Sequence, residues 1–138
     1  MSGRVLAALI LLSAFLAPTL GHAADPALPG VDKPISVRME PLVVALQRQG
    51  VVEKHVGFVV ILEVSSITAQ ARVQELMAKL TDAFVIDINA LASLPNAVDN
   101  GIDAESLRRR LLASSARILG PNVVRNVSFL RQFTRRVS

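Results

Sequence analysis

The stretch VVEKHVGFVVILEV, Val51 to Val64, constrains this chain more than any other part of it. Val52, Val56, Phe58, Val60, Leu62 and Val64 share one parity, and a β-branched run with that spacing, bounded by turn residues, forms a strand. Val59 and Ile61 occupy the other parity, so the later half is expected to be buried on both sides. A chain committed to such a strand must supply neighbours for it and a layer to cover it.

The first neighbour precedes it. ISVRMEPLVVALQ also reads as a strand, but Ile35, Val37 and Met39 share one parity whereas Leu42, Val44 and Leu46 share the other. A one-residue slip turns the apolar set to the wrong face, so a bulge or break is expected at Glu40-Pro41, where proline also lacks a donor. Arg48 to Gly50 supplies a turn, which makes the two strands an antiparallel hairpin.

The period then lengthens. Val73, Leu76, Met77, Leu80, Phe84, Ile88 and Leu91 recur every three or four residues. That spacing predicts one amphipathic helix of roughly 20 to 25 residues, capped by Ser65 or Ser66 and ended by Pro95. PNAVDNG reads as a loop. Asp103 then caps a second helix over AESLRRRLLASSARIL, with Glu105 in its first turn and Leu107, Leu111, Ser114 and Ile118 on one stripe. Gly120-Pro121 stops it.

After that stop, Val123, Val127, Phe129 and Phe133 share a parity, while Asn126, Ser128, Gln132 and Thr134 hold the other. Arg125, Leu130 and Arg131 interrupt the alternation. The ending is expected to be a strand that returns to the sheet, not a basic arm. The predicted fold is α+β: an antiparallel sheet in the order β-β-α-α-β, packed against the long helix.

The 138 residues make one small domain. Residues 1–23 have the layout of a signal peptide: Arg4, an uncharged apolar stretch from Val5 to Leu20, then Gly21-His22-Ala23. The alternative is a retained membrane anchor, for which that stretch is shorter than the ~20 residues usually needed. Residues 24–34, rich in proline, read as a linker, and residues 35–138 as the folded domain. Export without cysteine points to a bacterial periplasm, with inner-membrane association if the anchor is retained.

Charge is divided unevenly. From Ala24 to Asp103 six Lys/Arg face ten Asp/Glu, a net of −4, whereas from Ala104 to Ser138 eight arginines face Glu105 alone, a net of +7. Export argues against nucleic acid as the partner of this basic end and leaves an acidic protein surface, an anionic ligand or lipid. Arg108, Arg109 and Arg110, with Arg117, are the candidate contact residues. Consecutive helical positions fan out, so the three do not form a single tight clamp.

Catalytic material is sparse. His55 stands alone beyond the export segment, beside Glu53 and Lys54, and reads as an exposed strand residue. Asp82 and Asp87 are five apart on a helix and turn away from each other. Asp99 and Asp103 resemble part of a calcium loop, but Ser114 stands where its glutamate belongs, so a turn and a helix cap explain them better. The expectation is no enzyme, no cofactor and no metal, but a binding or assembly domain.

Three stretches carry a resemblance to a known family: the hairpin PLVVALQRQGVVEKHVGFVVILEV; the helix ARVQELMAKLTDAFVIDINAL, with LTDAF at Leu80 to Phe84; and IDAESLRRRLLASSARILGPNVVRNVSFLRQF, a helix, a Gly-Pro stop and a terminal strand. Together they resemble the periplasmic domain of the flagellar basal-body-associated FliL family, over about residues 35 to 133. That resemblance implies a stomatin-like fold that forms homo-oligomers around the flagellar stator and supports motility without catalysis. Family members usually keep a cytoplasmic tail and a transmembrane helix, whereas this chain starts like a signal peptide. The reading from a different class is a soluble periplasmic module for an anionic ligand, an acidic protein or a lipid surface.

Overall fold

A computed structural model describes residues 33–138, and the predicted export segment and most of the linker lie outside them. The elements run β1 (Ile35–Arg38), β2 (Leu42–Arg48), β3 (Val51–Val64), α1 (Ile67–Glu75), α2 (Met77–Ala92), α3 (Ala97–Asn100), α4 (Ala104–Leu119) and β4 (Val124–Arg136). The fold is α+β with a four-stranded antiparallel sheet. No helix of the described residues is long and apolar enough to cross a membrane.

The valine-rich strand β3 is the centre of the sheet. β1 pairs with its last residues and β2 with its first, end to end along one side, while β4 pairs along the other side. The expected interruption between β1 and β2 falls at Met39 to Pro41. Val37 and Met39 are buried before it and Leu42, Val44 and Leu46 after it, so the break resets the parity. Gln49 and Gly50 close the hairpin with positive φ of 50° and 80°, the pair of left-handed residues that matches the twist of a two-residue turn.

Val56, Phe58, Val60, Leu62 and Val64 face the helices and form one core with Val73, Leu80, Phe84, Ile88, Leu107 and Leu111. Burying an aliphatic or aromatic side chain of this kind stabilises by roughly 1.5–3 kcal/mol each. Val59 is buried too, on the opposite face of the sheet and apart from that core, and Ile61 beside it is half-buried.

Three expectations need correction. The single long helix is two, α1 and α2, interrupted at Leu76, whose φ of −104° and ψ of 17° leave the helical range. No proline or glycine stands there; the bend lets α1 pack on β1 while α2 packs on β2 and α4. The apolar stripe runs through the bend unbroken, which is why periodicity alone joined the two pieces. PNAVDNG is not wholly loop, since Ala97 to Asn100 form the short α3, with Ala97 and Val98 buried.

The third correction concerns β4. Arg125 and Leu130 have no partner in the register with β3, so the ladder slips by one residue at each. Before Leu130, Val127 and Phe129 lie opposite Leu62 and Val60 on the core side; after it, Phe133 lies opposite Gly57 on the far side. The bulge therefore turns Phe133 away from the core that its sequence parity assigned to it.

The caps follow the sequence closely. Ser66 Oγ accepts from the Ala69 N–H at 3.0 Å and opens α1. Asp103 Oδ2 accepts from the Ser106 N–H at 2.8 Å and opens α4, which closes at Gly120 with φ 100°.

Candidate functional site

The basic helix α4 is held on the domain by its apolar stripe, with Leu107 and Leu111 fully buried and Ser114, Ser115 and Leu119 nearly so; Ile118 is half-buried. Ser114 donates to Asp87 Oδ2 on α2, and Ser115 donates to the Leu111 carbonyl, so both buried hydroxyls are satisfied. With the buried stripe, the Ser114–Asp87 contact ties one face of α4 to α2 and leaves the opposite face outward.

The four arginines singled out in the sequence have different surroundings. Arg108 is half-buried; its Nη1 pairs with Glu105 at 2.6 Å and its Nε donates to the Val127 carbonyl at 3.1 Å. It ties α4 to β4. Arg117 donates to Ser114 Oγ at 3.3 Å and so joins the α2–α4 contact. Arg109 and Arg110 are exposed and have no carboxylate partner within salt-bridge distance among the described residues.

Those two line a surface groove of about 410 Å³ together with Leu91, Ser106 and Ala113. The groove lies where the end of α2 meets the first turns of α4. It offers two guanidinium groups, the Ser106 hydroxyl (3.5 Å from Arg109 Nη2) and an apolar floor. Guanidinium forks suit carboxylate or phosphate oxygens. Asp103 sits nearby, its carboxyl held below the ordinary range by hydrogen bonds from Ser106, side chain first and then backbone, with a smaller contribution from Arg109.

Leu91 and Ser106 escaped sequence reasoning. Leu91 is a member of the core stripe, and Ser106 carries no motif. Only the contact between α2 and α4 brings them beside the arginines.

The other candidates are placed as follows. His55 is exposed on the sheet face away from the helices, opposite Arg135 in the register. Asp82 is exposed, whereas Asp87 is engaged by Ser114, so the structure does not bring the two into a pair. Asp99 pairs with Arg48, which also reaches Glu53 at 2.9 Å, and Asp103 is the cap of α4. Among the described residues no three His, Asp or Glu side chains gather in a way that could hold a metal ion.

No protein-family model matches this chain, and no curated protein sequence does.

Proposed function

We propose that this protein is a non-catalytic structural or regulatory component of a periplasmic assembly, the flagellar basal body and its stator, and that it supports motility. In this reading the domain is stomatin-like, self-associates, and docks an acidic partner surface through α4. The observation that carries the docking surface is the pair Arg109 and Arg110, exposed on one groove without carboxylate partners among the described residues. The flagellar setting rests on the sequence resemblance. It is supported by the element order of hairpin, helices, Gly-Pro stop and terminal strand.

Reversing Arg109 and Arg110 to glutamate in the full chain tests the docking surface. Arg108 is left intact because it holds α4 to β4. The expected result is an unchanged unfolding midpoint, capture of stator or basal-body proteins reduced about tenfold, and smaller swimming zones. Unchanged capture and motility in the double variant would defeat the reading. Salt-sensitive binding to anionic vesicles, lost in the same variant, would replace the acidic protein with a lipid surface.

A further inference from the structure

β4 forms one edge of the sheet. Among the described residues it pairs only with β3, along its whole length, so its other side presents backbone donors and acceptors to no strand. The one side chain of the described residues that reaches this strand's backbone is Arg108, at Val127 near its beginning. Past the Leu130 bulge the register runs without a slip from Arg131 to Arg136, and the Val137 N–H continues the pairing to the Glu53 carbonyl at 3.1 Å.

Edges are commonly blunted by bulges and charge, and β4 has both, at Arg125 and Leu130 and in Arg135 and Arg136. Blunting does not account for its apolar residues. Leu130 is 57% exposed, Phe133 40% and Val137 48%, all along this outer segment. A strand arranged only to repel neighbours would carry polar groups there.

Charge decides which occupant suits the edge. β4 contains no acidic residue, and Arg125, Arg135 and Arg136 are all exposed. Two copies paired edge to edge would oppose arginine-bearing strands, neither of which contains a carboxylate, which disfavours a second copy of this chain. A strand carrying carboxylates meets the opposite condition.

We infer that the outer segment of β4 accepts an extended acidic segment of a partner protein as an added strand. Main-chain hydrogen bonds supply the attachment, Arg135 and Arg136 select acidic side chains, and the exposed Leu130 covers an apolar one. This rests on the reading of the chain as a docking domain and adds a second contact, separate from the α4 groove.

The test uses the full chain and a fluorescent peptide of alternating valine and glutamate, followed by anisotropy. Two versions carry backbone N-methyl groups on alternate residues, one version for each edge of the peptide. The expected result is binding of the unmodified peptide, weakened by about tenfold or more in one N-methyl version and little in the other. Arg135→Glu with Arg136→Glu, at an unchanged unfolding midpoint, should shift preference to a valine-lysine peptide. Equal binding of both N-methyl versions would overturn the proposal, because the contact would then be charge without strand addition; so would no binding at all. The Arg109/Arg110 reversal is the separating control. If it still abolishes partner capture while the peptide fails to bind, strand addition falls and the α4 docking surface stands.

Discussion

The two halves of β4 have similar sequences and different fates. From Val124 to Phe129 the strand lies under α4: Val127 is fully buried, and the Phe129 ring meets Phe58 edge-on at 5.9 Å between centroids. From Leu130 onward the described side chains are exposed, and Phe133 rests instead on the opposite face, against Gly57. Each half has a phenylalanine pointing at β3. One bulged residue decides which side of the sheet each ring occupies, so on an edge strand register outweighs hydrophobicity.

The sharpest way to break that comparison is to truncate both rings. Phe129→Ala should cost about 2–3 kcal/mol, since it removes a half-buried ring packed on the core and its edge-on contact with Phe58, read as a drop in the unfolding midpoint in urea. Gly57→Ala should come next. A Cβ there would stand 2.0 Å from Phe133 Cζ, so the ring must swing aside, at a cost of about 1–2 kcal/mol. Phe133→Ala should cost less, about 0.5–1 kcal/mol, because the ring is already partly in water. Made together, the last two should not add: without the ring, alanine at position 57 meets no obstacle and is a better strand residue than glycine. Equal losses for Phe129→Ala and Phe133→Ala would erase the distinction between the halves.

The smallest effect concerns α4, the cover of the inner half. Hydrogen bonds from Ser106 hold the Asp103 carboxyl below its ordinary value of 3.8. A depressed folded-state pKa means that the stabilisation is present above the unfolded value and is lost as pH falls through the folded one. Asp103→Asn should therefore differ slightly from the parent near neutral pH and converge with it below about pH 3.8, followed by thermal unfolding across an acid series.

Much of the architecture was legible along the chain. The valine run named β3, the parity change at Glu40-Pro41 named the break, and the Ser65-Ser66 pair, Asp103 and Gly120 marked helix ends, because these signals act within a few residues. The bend at Leu76 was not legible, since an apolar stripe keeps its period through a change of direction imposed by the strands beneath it. The candidate site was legible in part. Three adjacent arginines stand out in any reading, but their division into one that binds Val127 and two that face a groove depends on how α4 is turned.

By itself, then, the sequence determined which segments are strands and helices, where most of them start and stop, and that the basic charge collects in the last quarter of the chain. These follow from local backbone preference and apolar period. Tertiary structure decided the register of β4, the side on which Phe133 lies, and the partners of each arginine. Those depend on residues far apart in the chain, such as Asp87 with Ser114 and Gly57 with Phe133, whose contacts form only when the layers close.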